Sequence, residues 1–409
     1  MRVSAPVAQS GTQTMAEQPY GAAEDGVYRD GVVDIFIDVA KLVDGPRVVR
    51  DDTGVTVVRM EDVLHVTKRR DVHSTDEQMS VMIGLMGTGR PLIPLMLDGE
   101  EHTKYRKLLD PLFAPREIAK IEPRTRELCN DLIDSFIADG HVDLYAAFCD
   151  PLPARIFLTL LGLPLADLPF LNWFKDGIIR PTDEEHRQAV SPKMVTYIYD
   201  ELDRRAALDD PGDDLFGGFM KAEVDGHRLT REDVVDIVYL LVMAGLDTVA
   251  ASLSCMVEWL ARHPDERQEL VDDPTGWPAA IEELLRVQTP VVSGGRFATA
   301  DFTIGDDEVK AGDAIRAHWA AANFDADVFE DPIEVDLART PNRHIAFASG
   351  FHRCLGSHLA RMEMRVALET LHARIPDYRL DPHHPAGLNN TAIRNVDPLP
   401  LVFTPRSGE

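Results

Sequence analysis

From Thr230 to His263 the chain reads TREDVVDIVYLLVMAGLDTVAASLSCMVEWLARH, a largely apolar run without proline that Pro264 closes. Thr230 is placed as an N-cap, and Glu232 and Asp233 fall in the first turn, where the positive end of the helix dipole favours them. The segment predicts one helix of about 33 residues, a rod of roughly 50 Å at ~1.5 Å per residue, long enough to cross an entire domain. Its most apolar part, Val234 to Leu246, is about 13 residues long and carries Asp236, too short and too polar to span a bilayer. Near its centre stand Ala244, Gly245, Leu246, Asp247 and Thr248. A mid-helix Gly costs about 1 kcal/mol against Ala, and a mid-helix Thr tends to bond back to the carbonyl four residues earlier. The cluster therefore predicts a local distortion of the backbone ladder. A glycine kept for close helix packing is the alternative.

The rest of the 409 residues, 44% hydrophobic and 27% charged, has the composition of a globular chain rather than a disordered or disulfide-stapled one. Length alone allows two or three domains, or one large helical domain with a single core. A net charge of −27 disfavours nucleic acid and anionic membrane as main partners. The first 25 residues have no apolar signal region and little to bury; they read as a mobile N-terminal arm. Four cysteines without a CxxC pair point to a reducing, cytoplasmic setting.

Strand and helix signals alternate unevenly. The polar turn Asp51–Gly54 between VVR and VTVVRM predicts a hairpin. Helices are expected over Pro123–Ala138, Ala154–Leu163, Ala279–Val287 and Leu355–Arg374. Strands are expected around Phe297–Ile304, Val309, Ile315–Ala320 and Leu399–Phe403.

The most informative stretch is Phe347-Ala-Ser-Gly350-Phe-His352-Arg-Cys354-Leu-Gly356. One cysteine stands in a glycine-punctuated loop just before a helix, whose unpaired N–H groups favour thiolate. Gly350 and Gly356 remove side chains where a flat ligand would approach the backbone. A buried structural cysteine, a zinc site with His352 and His358, or a hydrolytic nucleophile are the competing readings of these residues alone. The pattern F-x-x-G-x-H-x-C-x-G resembles the haem-binding loop of the cytochrome P450 family. That resemblance implies Cys354 as the iron ligand, Phe347 packed against the sulfur and Gly356 in the cofactor loop; Ala348 departs from the family's usual Gly. It extends over about residues 50 to 404 and implies a mainly α, single-domain P450-like prism with small β-sheets, residues 26–409 forming the haem-binding monooxygenase domain.

Other segments fit the same resemblance in order. Glu283-Leu-Leu-Arg286 resembles the ExxR pair, which shares one helical face, and Arg339 matches the third partner; their implied role is structural. Ala244, Gly245, Asp247 and Thr248 resemble the oxygen-activating motif, with Thr248 bonding the bound oxygen and Asp247 delivering protons. His102, Arg106, Arg296 and His352 are implied as partners of the haem propionates. Asn323-Phe-Asp325 departs from the family's Asn-Arg-Asp.

The chemistry implied is insertion of one atom of O2 into a C–H bond, with haem b (iron protoporphyrin IX) as cofactor. The chain has no G-x-G-x-x-G fingerprint, so electrons must come from outside, by resemblance from a ferredoxin and ferredoxin reductase. A peroxide-driven enzyme or a non-catalytic haem sensor of the same fold are the alternatives, and neither needs Asp247 and Thr248. The implied pocket includes Met82, Leu95, Leu240, Val291, Val292 and Ile393. The methionine-rich segment Val72–Leu97 predicts a medium-sized apolar substrate, a terpenoid or branched lipid, unless Arg90 anchors a carboxylate. Finally, Arg343–Arg374 holds five Arg against two Glu, a local +3, which marks Arg353 and Arg361 as candidate ferredoxin contacts with Lys107 and Arg116 as additions.

Overall fold

Helices dominate the computed structural model, which describes residues 39, 42–74, 88–390 and 393–406. The expected arm, residues 1–25, and Met82 lie outside the described residues. The helices that position the site are α1 (Met60–Thr67), α2 (Gly99–Leu109), α3 (Glu122–Asp134), α4 (Pro151–Leu161), α5 (Leu168–Ile179), α6 (Glu184–Ala206), α7 (Arg231–Gly245), α8 (Thr248–Arg262), α9 (Trp277–Val287) and α10 (Ser357–Arg374).

The predicted rod is two helices. Helix α7 starts as expected: Thr230 Oγ1 accepts from the Asp233 N–H at 3.1 Å, and the Thr230 N–H donates to Asp233 Oδ2 at 2.9 Å. The ladder then breaks at Leu246 and Asp247 and resumes at Thr248. Taken together, Arg231–Arg262 is long and apolar enough to cross a membrane by length and composition, a longer apolar run than the expected 13 residues. Its most apolar stretch is 78% buried within the protein, as in a central core helix.

Around this axis, α6 packs on α7, α5 on α6, α4 on both α7 and α8, and α10 on α8, α9 and α3. One apolar core runs through these elements from Leu92 to Leu401. The expected hairpin pairs Val48–Asp51 with Gly54–Val57, Asp51 opposite Gly54. It continues into a five-stranded sheet in the order Val48–Asp51, Gly54–Val57, Ala314–Ala317, Gly294–Ala298, Val72–His73, which covers a second core that includes Val57, Val63, Ile315 and Trp319. Ile315–Ala320 is strand only to Ala317; Trp319–Ala322 turns helical because His318 Nδ1 accepts from the Ala321 N–H and caps the turn. The terminal strand Pro400–Phe403 pairs with Tyr378–Leu380 and His141–Asp143.

Candidate active site

The loop that carries Cys354 is fixed at both ends. A short 3-10 turn, Gly350–His352, precedes the cysteine, and α10 begins just after it at Ser357. The Cys354 N–H donates to Phe347 O at 2.9 Å, which closes the loop on itself. Gly350 has φ +71°, and a Cβ there would lie 1.9 Å from Thr67 O. Gly350 therefore exists to let the loop sit on the end of α1, not to admit a ligand. Gly356 is different: a Cβ there meets no described atom within 4 Å.

Ala348 adopts φ +57°, in the left-handed region. That is the physical meaning of the departure noted above, since a Cβ is disfavoured there by roughly 1–2 kcal/mol. Ala348→Gly should raise stability by about 1 kcal/mol after glycine's entropy cost is deducted. Equal denaturation midpoints for the two proteins would show that the loop stores no such strain.

Cys354 has exposed surface, yet enough protein surrounds it for desolvation to dominate its thiol. That combination marks a group lining an internal space. Burial is the largest influence on its thiol and raises its pKa, against the Gly356 N–H and the charges of Arg106, Arg353 and Arg361. The helix start alone therefore does not make a thiolate, as the sequence predicts; a metal cation at the sulfur would. Ala244, in the last turn of α7, is likewise exposed although Leu240, Leu241 and Val242 around it are buried.

Several cationic and imidazole groups surround the cysteine loop. The His102 and His352 rings lie 4.2 Å apart, and His352 Nε2 is 3.0 Å from Asp98 Oδ1. His102 is buried, and its Nε2 has no hydrogen-bond partner. Burial, then the charges of His352 and Arg106, lower its pKa to about 4. Arg106 donates to Arg353 O at 2.8 Å and pairs with Asp110. Arg296 bonds only Gly295 O among described residues, at 2.6 Å, and has no carboxylate partner there. A buried imidazole whose Nε2 has no partner and a guanidinium with no carboxylate bonded to it among the described residues fit an anionic cofactor edge such as a pair of propionates.

At the break between α7 and α8, Asp247 is 1% exposed. Its Oδ1 faces Arg180 Nη2 at 3.3 Å and Tyr145 Oη at 3.4 Å, while its Oδ2 has no partner. Burial is the main cause of a raised carboxyl pKa, opposed by Arg180 and Lys175. Arg180 also reaches Tyr145 Oη at 3.0 Å and Asp397 at 3.5 Å. No spacing in the sequence announces Tyr145, Arg180 and Asp397, which come from three separate segments. Thr248 Oγ1 donates to Ala244 O at 3.2 Å, the expected back-bond. A Cβ on Gly245 would lie 2.1 Å from the Phe157 ring, so packing against α4 accounts for that glycine.

Behind the loop, Glu283 and Arg286 are both fully buried and joined by two bonds of 2.7 and 2.9 Å. Arg286 also donates to Asn323 O, Pro332 O and Glu334 O. Arg339 Nε reaches both Glu283 oxygens at 3.1 Å, and Asn342, which the sequence does not single out, adds a bond of 2.9 Å. Burial raises the Glu283 pKa most, but Arg286, the Asp336 N–H and Arg339 together hold it below the ordinary value.

Three other expectations change. Arg361 is not free: it grips Glu282 at 2.6 and 2.7 Å and lies 4.3 Å over the Phe347 ring. Arg90 pairs with Asp236 at 2.9 Å rather than awaiting a carboxylate. Of the expected pocket residues, Leu240 is in the main core and Val292 packs on a small cluster around Phe324. Val291 and Ile393 are half-buried, and Leu95 is 43% exposed. The Glu282 pKa falls to about 2, since Arg361 and His344 outweigh the burial that would raise it. A depressed carboxyl lends stability above its ordinary 4.5 and loses it as pH falls toward 2. Glu282→Gln should flatten the fall in melting temperature between those pH values, and an unchanged slope would show that other carboxyls set it.

A cysteine just before a helix start, an unpartnered imidazole packed on its loop, a guanidinium with no carboxylate partner among the described residues and a broken central helix fit a haem-thiolate class of protein. Comparison with known proteins agrees. The family profile "Cytochrome P450" matches residues 277–380. Cytochrome P450 CYP107DY1 of Priestia megaterium is 33% identical over 312 residues, covering 76% of each chain. The methyl-branched lipid omega-hydroxylase of Mycobacterium tuberculosis is 30% identical over 365 residues, 85% of this chain and 83% of that one. The crystal structure of a post-tailoring hydroxylase involved in himastatin biosynthesis superposes with TM-score 0.77 at 30% identity, covering 88% of this chain and 94% of that one. The chain belongs to the cytochrome P450 family. It is a haem-dependent oxidoreductase of the monooxygenase type.

Proposed function

We propose that this chain hydroxylates a C–H bond of a medium-sized apolar substrate, a terpenoid or branched lipid, with O2 and electrons from a ferredoxin and its reductase. Haem b is held through Cys354, and residues 26–409 act as one cytoplasmic domain. The observation that carries this reading is the exposed surface of Cys354 in a loop that packs on His102, whose Nε2 is unpartnered, together with an Arg296 that has no carboxylate partner among the described residues. Haem, when bound, supplies the oxygen chemistry. His102, Arg106, Arg296 and His352 hold its propionates, and Glu283, Arg286 and Arg339 brace the core behind it. The relative named for a methyl-branched lipid supports the substrate class. Titrating the holoprotein with terpenoids, branched fatty acids and aromatics, and following its absorption, tests that class; a response to aromatics alone overturns it.

Within this reading, Asp247 holds a proton that Thr248 passes on. Its raised pKa keeps a proton on the carboxyl closer to neutral pH, and the free Oδ2 is the atom from which to give it up. Arg180 and Tyr145 keep Oδ1 in place. Thr248 must release Ala244 O to use its hydroxyl, at the cost of one modest hydrogen bond of about 1 kcal/mol. Thr248→Ala should leave substrate affinity nearly unchanged while product per NADH falls and peroxide rises. Unchanged product per NADH would remove Thr248 from proton delivery.

The electron donor docks, in this reading, on the face behind Cys354. Arg353, Lys107 and Arg116 are exposed and without an ion-pair partner among the described residues. Arg361 is replaced as a contact by these, because Glu282 already neutralises it.

A further inference from the structure

The cysteine loop rests on a charged clamp. Near the start of α10, Arg361 lies with its guanidinium 4.3 Å over the Phe347 ring. Phe347 holds that loop closed, since its carbonyl accepts the Cys354 N–H at 2.9 Å. Arg361 Nε and Nη2 donate to the two carboxylate oxygens of Glu282 on α9, at 2.6 and 2.7 Å. A third bond fixes the same carboxylate. His344 Nδ1 accepts the Ala346 N–H at 3.2 Å, which leaves Nε2–H to donate to Glu282 Oε2 at 2.8 Å. Burial would raise the Glu282 pKa, but Arg361 and His344 hold it at about 2, so the carboxylate keeps its charge at neutral pH.

Against burial, and beside the Gly356 N–H, the charges of Arg106, Arg353 and Arg361 favour thiolate at Cys354. The three are not held alike. Arg353 is exposed, and Arg106 pairs with an Asp110 carboxylate that is 52% exposed. Arg361 is half-buried, gripped at two nitrogens and laid on the loop itself. Water screens a mobile surface charge strongly and a fixed, part-buried one much less. Arg361 is also the member of its ion pair that lies on Phe347, so toward the loop the pair presents its positive end.

We propose that Arg361, clamped by Glu282 and His344 onto the Phe347 ring, is a fixed positive charge that sets the reduction potential of the haem at Cys354. The inference rests on the reading above that Cys354 holds the iron. One-electron reduction of the iron from ferric to ferrous leaves the sulfur a thiolate and adds one negative charge to the iron–sulfur unit. A cation nearby stabilises that charge and raises the potential, while a carboxylate nearby lowers it. This assigns the pair a task beyond joining α9 to α10. A purely structural ion pair would lose stability when either member is removed, but the two removals would not drive the potential in opposite directions.

The test is a mediated dithionite titration of the substrate-free holoprotein at neutral pH, followed by absorption. Arg361→Met should lower the ferrous-to-ferric ratio at a given potential about 3- to 10-fold, a shift of about 30–60 mV at ~59 mV per tenfold. Glu282→Gln should raise that ratio by more than about two-fold, and the double variant should return to within about two-fold of the natural protein. Melting temperatures of both single variants should fall, as for any broken ion pair. An unaltered carbon-monoxide spectrum shows that the cysteine loop is intact, and Arg361→Gln carries the same expectation if methionine disturbs it. Single variants that shift the potential in the same direction, with the signs reversed, or by less than about two-fold in the ratio overturn the inference and leave the Cys354 reading standing. If the natural holoprotein lacks the thiolate band in its carbon-monoxide spectrum, that reading falls and the inference with it.

Discussion

Cys354→Ser should abolish the absorption band at about 450 nm, from which the family takes its name, in the reduced, carbon-monoxide-bound protein. Serine keeps the size and the loop hydrogen bonds but offers an alcohol where a thiol stood. Burial already raises the Cys354 pKa, so the sulfur would form a thiolate only where a bound metal cation repaid the cost. An alcohol, with a far higher intrinsic pKa, does not reach that state at neutral pH. Hydroxylation should fall to background, because electron donation from a thiolate is what favours oxygen–oxygen cleavage. The fold should survive, since the loop is closed by the Cys354 N–H to Phe347 O and not by the side chain. A retained band in the serine variant would remove Cys354 from the iron and return the buried-cysteine reading.

The second large effect is expected at Glu283. Glu283→Ala leaves the guanidinium of Arg286 fully buried, with only carbonyl partners, and takes a carboxylate from Arg339 and Asn342. Breaking a buried pair in this way costs about 3–5 kcal/mol. Loss of soluble protein, or a denaturation midpoint lowered by that amount, is the expected outcome. The same substitution would be almost silent if the pair were a surface ion pair, worth at most about 1 kcal/mol. A change below about 1 kcal/mol would therefore show that the network is not what braces this region.

The candidate site was legible in unequal parts. Residues joined by short spacing stood out: Glu283 with Arg286 on one helical turn, and the loop from Phe347 to Gly356. Thr230 at the helix start and the Thr248 back-bond were also readable, because capping and back-bonding are local. Tyr145, Arg180 and Asp397 around Asp247 were not, since each belongs to a different segment and nothing local marks it. The glycines show the same limit. Gly350 reads as ligand clearance in the sequence, yet Thr67 occupies the space above it; of the two readings of Gly245, a helix defect or a packing glycine, only the contact with Phe157 selects the second.

By itself, the sequence determined the elements whose cause is local: the capped start of α7, the hairpin at Asp51–Gly54, the helix after Cys354, and a central axis apolar enough to be buried all round. Only the tertiary structure decided which charges are free. Arg353 and Arg361 are both Arg in one basic stretch, but Arg361 meets Glu282 from α9 and Arg353 meets no carboxylate among the described residues. The break at Leu246 and Asp247 falls within the distortion expected at Ala244–Thr248, but it took the tertiary structure to leave Asp247 buried with one oxygen unsatisfied. The physical reason is range. Propensity, capping and turn geometry act over a few residues, whereas burial and ion pairing depend on which segments folding brings within a few ångströms.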